Sequence, residues 1–567
     1  MNLTLPAITA FLDQGGSPVD VAEEALSRLA AWADPAMLIT AVPAEAVLAR
    51  AAALMEEGRR GRRLWGVPFV VKDNIAAAGL PMTAACPDFE HVPQEDAPAV
   101  ARLLAAGAIL LGKANLDQFA TGLNGTRSPY GTPRNAFRPD LVPGGSSSGS
   151  ASAVAAGICA FSLGTDTAGS GRVPAMAQQI VGLKPTLGLV PTRGVVPACR
   201  SLDCVSIFAH SAAEAAAVLA VIAGPDAADP YSRTAPPGWS AAPAPRAGWR
   251  IAVPLDEELV FDTEANAVLF EAMVARAKTL GATVEPVSIA PLIEVAKKLY
   301  DGAWVAERTA ALRERVRDQP ETLHPVTRTI LEGGFGRSAV DAFDDFHAVA
   351  LARLVARDIF AEADAILLPT APGIPSLEAM AAAPIAANSR LGTYTNFVNL
   401  LDMAGLAVPA GVGPDGLPFG VTLLGPAFSD GALAALGTAL SAHESLLFCI
   451  GAHMSGLPLN GQVTALGGRL VGAAATAPCY RLFDLGSRPG LLRDPGGAAI
   501  EGEIWALPTS AIGALLVQVP SPLGFGRVEM ADGAAVLGFL AEAAGVAGAP
   551  EITALGGWRR LLASRIG

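Results

Sequence analysis

Two serine- and glycine-rich loops and one lysine at the end of an apolar run hold the residue types most able to do chemistry in this sequence. The first loop reads Pro143-Gly144-Gly145-Ser146-Ser147-Ser148-Gly149-Ser150, the second Gly164-Thr165-Asp166-Thr167-Ala168-Gly169-Ser170-Gly171-Arg172. An alanine-rich stretch separates them, and Ser146 and Ser170 stand 24 residues apart. Upstream, Lys72 closes the run Val67-Pro68-Phe69-Val70-Val71. A lysine at the end of a buried strand loses its water, which disfavours the ammonium form and makes the amine a usable base. A serine needs such a base to become a nucleophile. Residues Thr167-Ala168-Gly169-Ser170 carry little bulk, so their backbone N–H groups can converge on a developing oxyanion. A Ser–Ser–Lys relay for acyl transfer follows as a hypothesis, with no histidine needed.

The residues alone leave rivals. Lys113 also follows an apolar strand, and Lys184 precedes Pro185 at a turn. Gly145-Ser146-Ser147-Ser148-Gly149 satisfies G-x-S-x-G, which would make Ser147 the nucleophile, but Leu141-Val142-Pro143-Gly144 is a poor strand to precede such a motif. Asp166, Arg172 and the alanine-rich segment are unlike a flexible linker.

Such loops need a scaffold. Residues 17–61 read as helical, from Ser17-Pro18-Val19-Asp20 to near Gly58. Short apolar strands at Gly66–Val71, Ile109–Leu111, Ile251–Pro254, Ala365–Pro369 and Gly420–Leu424 alternate with helical patterns at Pro98–Ala106, Leu292–Arg317 and Asp430–Ser441, the last ending near His443. That alternation predicts a layered α/β fold. The stretch Thr121–Ser152 is too long and polar for an ordinary connection, which points to function. Gly224–Gly248 reads as a surface connection. From Ser445 the texture changes to short β-like runs at Leu446–Ile450, Arg469–Val471, Tyr480–Phe483, Ile500–Trp505 and Leu515–Val519, with a closing helix at Ala534–Ala544. This predicts two domains, 1–444 and 445–567, the second small and β-rich.

The chain has 567 residues, 51% hydrophobic and 16% charged, enough for a large core and unlike a disordered protein. A net charge of −13 gives no electrostatic reason to expect nucleic acid or an anionic membrane as partner. No apolar run approaches the ~20 residues of a spanning helix, and the first 16 residues lack the pattern of a leader. The expectation is a soluble cytoplasmic protein. The six cysteines form no C-x-x-C pair and the six histidines no H-x-x-x-H spacing, so neither a disulfide framework nor a metal site is expected. No organic cofactor is expected either.

The two loops, with Gly66–Asn74, Leu111-Gly112-Lys113-Ala114-Asn115 and Gly182-Leu183-Lys184-Pro185-Thr186 in the same order, resemble the amidase signature family over roughly residues 20–440. The resemblance implies an α/β/α core with a mixed central sheet, Ser170 as nucleophile, Ser146 as the bridging serine after a cis peptide, and Lys72 as base. It implies backbone donors at Thr167, Ala168, Gly169 and Ser170 as the oxyanion hole, with Ala168 standing where the family usually has glycine.

Two further features narrow the substrate. Tyr300, Trp304 and Arg308 fall at i, i+4 and i+8 of a helical pattern and so share one face. A guanidinium on an apolar face suits a small carboxylate, although periodicity alone equally allows Arg308 to pair with Asp301 or Glu307. The region from Leu447 to Asn460, continued by Tyr480–Phe483, Pro489–Leu491 and Gly502–Trp505, is similar to a gamma-glutamylcyclotransferase-like small barrel. An amidase-signature domain followed by that barrel resembles the allophanate hydrolase family. This implies cleavage of allophanate, a urea carrying an N-carboxylate, to ammonia and N-carboxycarbamate, and overall to ammonia and carbon dioxide. It implies Tyr300, Arg308 and Gly125 as substrate contacts, a homodimer, and a second domain that speeds decarboxylation of the first product. His453, the sole histidine after residue 445, is the candidate there; the plainer reading is a loop histidine in a domain that supports oligomerisation. The allophanate would come from urea carboxylation or from biuret and triazine breakdown. Alternatives are a broad-specificity amidase, a glutaminase subunit of an amidotransferase and a non-catalytic binding protein.

Overall fold

The short apolar runs of the first four hundred residues are too short to be stable alone and bury themselves in one sheet. In a computed structural model, which describes residues 1–244, 246–441, 444–466 and 468–565, the chain forms two units, Met1–Ser441 and Ala442–Gly567, each with its own hydrophobic core. In chain order the strands of the first unit are β1 (Leu38–Ala41), β2 (Pro68–Lys72), β3 (Ile109–Ala114), β4 (Phe161–Asp166), β5 (Val181–Lys184), β6 (Cys204–Ala209), β7 (Arg250–Pro254), β8 (Thr283–Val287), β9 (Ala365–Pro369), β10 (Met403–Val412) and β11 (Pro418–Pro426). They form a mixed sheet in the order β1-β3-β2-β4-β6-β5-β10-β11-β9-β7-β8.

The pairing of β2 with β4 positions the site. These strands run parallel, with Phe69 opposite Phe161 and Val71 opposite Leu163, and every residue of both is buried. Parallel strands covered on both faces read as unbroken apolar runs, which is why Lys72 stands out. Their C-terminal ends, Lys72 and Asp166, therefore emerge side by side, where α/β sheets place ligands. The helix Ser148–Ala155 leads from the first serine loop towards β4 and lies almost wholly buried. Its start approaches the sheet closely: a Cβ at Gly164 would sit 2.7 Å from Ser147 Oγ.

Four sequence-based expectations are corrected here. The 17–61 segment is not one helix; Pro18–Trp32 and Ala44–Glu57 are separated by β1, which pairs antiparallel with β3. The Leu292–Arg317 pattern breaks into Ala290–Ala296, Lys298–Asp301, Trp304–Ala311 and Arg313–Asp318. Gly302, with ψ −160°, interrupts it, and a Cβ there would lie 2.4 Å from Asp345 Oδ2. In the second unit, Ala535–Ala541 is a strand rather than a helix, and Thr509–Leu516 is a helix where a strand was expected through Leu515–Val519. The end expected near His443 lies outside the described residues.

The second unit contains β12 (Glu444–Cys449), β13 (Arg469–Ala475), β14 (Tyr480–Asp484), β15 (Pro489–Arg493), β16 (Glu501–Pro508), β17 (Leu523–Glu529) and β18 (Ala535–Ala541). Five of these form a sheet in the order β13-β16-β12-β18-β17, with β14 and β15 as a separate hairpin. The two edges of the five-stranded sheet meet: Ala477 N donates to Glu529 O at 2.8 Å and Ala531 N to Ala475 O at 3.0 Å. This gives the sheet a barrel-like curl and covers edges that would otherwise stay open.

Candidate active site

Lys72 is fully buried, and its Nζ donates to Ser146 Oγ at 2.7 Å and to Thr165 Oγ1 at 2.8 Å. Burial pulls the amine down to about 7, against the opposing fields of Asp117, Asp203 and Asp166. Near neutral pH a large share of it is thus an uncharged base. The rival lysines have other partners. Lys113 forms a buried ion pair with Asp73 at 3.2 Å. Lys184 donates to Pro185 O at 2.9 Å and to Cys204 Sγ at 3.5 Å.

Ser146 follows a cis Gly145–Ser146 peptide bond. Its loop is packed so closely that a Cβ at Gly145 would meet Asp117 Oδ2 at 2.2 Å. Ser147 exchanges hydrogen bonds with the backbone of Thr165, donating to its carbonyl at 3.1 Å and accepting from its N–H at 3.3 Å. Its hydroxyl is thereby committed to β4, and no strand immediately precedes it. Ser170, 2% exposed, donates from Oγ to Gly122 O at 3.4 Å. Among the described residues no direct hydrogen bond joins Ser170 to Ser146.

The second loop is held from below by Asp166. This fully buried carboxylate pairs with Arg172 through Nε and Nη2, both at 2.9 Å, and accepts from the N–H of Gly169 at 2.9 Å and of Gly171 at 3.0 Å. One expectation changes as a result. The Gly169 N–H is spent on Asp166, which leaves Thr167, Ala168 and Ser170 as the backbone donors of this loop with no partner among the described residues. Thr395 Oγ1 fixes Ala168 O at 2.7 Å. Thr167 Oγ1 donates to Asp203, whose carboxylate also accepts from the N–H of Ala198 at 2.9 Å and of Cys199 at 3.2 Å. Burial lifts Asp203 to about 6, opposed by these hydrogen bonds and by the field of Arg308.

Arg308 is 1% exposed, and its Nε, Nη1 and Nη2 all lack a hydrogen-bond partner. Its guanidinium lies over the Tyr300 ring, 4.8 Å from the centroid, even though Gly302 places the two residues on separate helices. Neither acid suggested by the sequence pairs with it: Glu307 instead accepts from Ser201 N at 2.8 Å and Ser201 Oγ at 2.7 Å, and Asp301 is exposed. A planar guanidinium so placed presents a fork that fits a carboxylate. Gly125, at φ +81°, donates its N–H to Asp117 Oδ2 at 3.0 Å, and a Cβ there would meet Pro143 Cγ and Ser148 Cβ at 2.7 Å. It is therefore packed against the first serine loop.

His453 belongs to the second unit. Its Nε2 contacts Gln462 Oε1 at 3.0 Å, and its ring stacks on Phe539 at 4.8 Å. Burial pushes it below the ordinary histidine range, with Gln462 opposing. It lines a cavity of about 180 Å³ with Leu459, Arg488 and Phe539. No cluster of three or more His, Cys, Asp or Glu suited to a metal occurs among the described residues. Sequence reasoning missed Thr165, Asp117 and Asp203. Thr165 was in plain view one residue before Asp166, whereas Asp203 carries no motif and reaches the site only through the fold.

Residues 20–434 match the amidase family, and residues 445–563 match the allophanate hydrolase C-terminal domain. The chain belongs to the amidase family. Over 429 residues it is 38% identical to a glutamyl-tRNA(Gln) amidotransferase subunit of Nitratidesulfovibrio vulgaris, covering 70% of this chain and 88% of that one. Its two-domain architecture is that of allophanate hydrolase: the solved Kluyveromyces lactis allophanate hydrolase is 37% identical, with a TM-score of 0.71, covering 100% of this chain and 99% of that one. Over 550 residues the chain is 41% identical to the urea amidolyase of Saccharomyces cerevisiae, covering 89% of this chain. It spans only 30% of that longer protein. No helix among the described residues is long and apolar enough to cross a membrane.

Proposed function

We propose that this chain hydrolyses allophanate, with Arg308 and Tyr300 holding the substrate carboxylate and Ser170 attacking the terminal ureido carbonyl. The observation that carries this reading is the buried guanidinium of Arg308 with three unpartnered nitrogens. Taking such a charge out of water costs several kcal/mol, which only the Tyr300 ring and the fields of nearby acids oppose among the described residues. A bound carboxylate would supply the missing partner, whereas a neutral amide would leave the cost in place, which is a strong basis for rejection.

The chemistry follows from the lysine–serine contact. As Ser170 Oγ bonds to the carbonyl carbon, its proton passes to Ser146 Oγ, whose own proton passes to neutral Lys72 Nζ. The Ser170 hydroxyl turns from Gly122 O towards Ser146 for this transfer. The N–H groups of Thr167, Ala168 and Ser170 receive the developing oxyanion. The Lys72 ammonium returns its proton by the same route to the departing nitrogen, releasing ammonia. Water then cleaves the acyl-enzyme to N-carboxycarbamate, which decarboxylates. Gly125 shapes the wall beside the first serine loop. His453, in its cavity with Arg488, is the candidate for assisting that second step.

The substrate would be supplied by a reaction that carboxylates urea or hydrolyses a larger ureido compound. A homodimer is supported by the apolar face of the helix Ala339–Glu362, where Val340, Phe343 and Leu351 are each more than 60% exposed. Light scattering on the purified chain would test it. The test of the activity is ammonia release from allophanate beside a panel of neutral amides. Turnover confined to allophanate supports the reading; equal turnover of both contradicts it.

A further inference from the structure

We propose that Gln118 is a positioning residue that sets the carboxylate pocket against the nucleophile loop; the inference rests on the carboxylate role proposed for Arg308. Gln118 is 1% exposed, and its side-chain amide works as a two-way clamp. Nε2 donates to Thr322 O at 3.0 Å, and Oε1 accepts from His324 N at 2.7 Å. On one side of the clamp lies the segment 117–127, which touches both serines. Asp117 N donates to Ser146 O at 3.0 Å, Gln118 N to Arg127 O at 2.7 Å, and Gly122 O accepts from Ser170 Oγ. On the other side, His324 caps the helix Pro325–Gly333 through Nδ1. That helix packs against Trp304–Ala311, which carries Arg308: Thr309 Oγ1 donates to Leu331 O at 2.5 Å. The approach is close, since a Cβ at Gly334 would fall 2.0 Å from Thr309 Oγ1.

Each side also has anchors that do not involve Gln118: on the Arg308 side, Thr322 O accepts from Cys86 Sγ at 3.6 Å, and Glu307 ties Trp304–Ala311 to Ser201 N and Oγ. Asp117 gathers the N–H groups of Asn124, Gly125 and Arg127 at 3.3, 3.0 and 2.9 Å, and Asn388 accepts from Leu123 N at 2.8 Å and Asn124 Nδ2 at 2.7 Å. The 117–127 segment beside the two serines therefore has anchors of its own. Between residues 117–127 and residues 319–333, by contrast, the two Gln118 bonds are the only hydrogen bonds among the described residues. Phe119 and Ala120, at φ +51° and +52°, hold a left-handed backbone that L-residues adopt only where neighbours enforce it. The clamp begins at the residue just before them. Losing it should loosen the spacing between Arg308 and Ser170 while each stays on its own anchors.

The test uses Gln118→Met, which keeps volume and removes both bonds, and Gln118→Glu, which keeps the acceptor for His324 N–H in a near-isosteric side chain. Kinetics are measured on a carboxylate-bearing primary amide, allophanate included, and on its neutral diamide analogue. The rate of Ser170 labelling by a fluorophosphonate is measured alongside. For Gln118→Met the expected result is a rise of about tenfold in KM for the carboxylate substrate, with kcat and the labelling rate changing less than threefold. Gln118→Glu should show a smaller rise. Parallel loss of labelling and of both substrates' turnover would reduce Gln118 to a purely structural part and overturn the proposal. So would an unchanged ratio of kcat/KM values. If the wild-type protein shows no preference for the carboxylate substrate, the role of Arg308 fails first and the role of Gln118 falls with it.

Discussion

Replacing Arg308 with methionine separates a binding role from a structural one, because the two roles move stability and activity in different directions. In the folded chain the guanidinium is 1% exposed with no hydrogen-bond partner on any nitrogen. Its cost therefore falls on the empty protein. An apolar side chain of similar length removes that cost, and even whole buried ion pairs replaced by well-packed apolar residues are often neutral or stabilising by about 1–4 kcal/mol. Arg308→Met should leave the thermal midpoint unchanged or raise it. Binding should respond in the opposite sense. A bidentate carboxylate contact supplies two charge-assisted hydrogen bonds of about 1.5–3 kcal/mol each, so about 3–6 kcal/mol is lost. At about 1.4 kcal/mol per decade that is roughly two to four orders of magnitude in kcat/KM for allophanate. A neutral amide, which never used the guanidinium, should lose less than threefold. Steady-state ammonia release on both substrates, with thermal unfolding of both proteins, reads all three quantities. A variant that melts several degrees lower and loses both activities together would contradict a binding role and return Arg308 to the core.

Ser147→Ala should retain activity within about tenfold and lose about 1 kcal/mol of stability, since its hydroxyl only exchanges hydrogen bonds with the Thr165 backbone; loss of all covalent labelling in this variant would favour it as nucleophile instead. Asp203→Asn removes an anion that raises the Lys72 pKa. The lysine should then lose its proton at lower pH, and the acid limb of the labelling rate should shift below that of the wild-type chain; a shift to higher pH would contradict the assigned field.

What could be read from the sequence followed from contrasts that survive folding. Five consecutive buried residues ending in a lysine stand out in any register, so β2 and the burial of Lys72 were legible. Strands β7, β9 and β11 are likewise apolar runs bounded by turns. Periodicity misled where it could not see the partner. The stretch from Ala534 is rich in alanine and apolar throughout, so its own preference is helical. It becomes a strand because β17 pairs with it along its length and β12 pairs parallel at Leu537 and Gly538. The Tyr300–Arg308 pattern pointed to residues that do lie together, but through stacking across the break at Gly302 rather than along one helix face. Gln118 acts through partners 204 and 206 residues away and Asp203 reaches Thr167 across 36, and no local spacing announces either.

The proposed mechanism turns on neutral Lys72 drawing a proton through Ser146 from Ser170. Its most direct test is the rate of covalent labelling of Ser170 by a fluorophosphonate between about pH 5 and 9, in the wild-type chain and in Lys72→Met. Because burial lowers the lysine to about 7, the free amine is scarce below that pH and dominant above it. The wild-type rate should climb with pH through a midpoint near 7 and level off, while Lys72→Met stays at a low, flat rate. A wild-type rate that does not vary with pH, or a methionine variant that labels as fast as the parent, would contradict it.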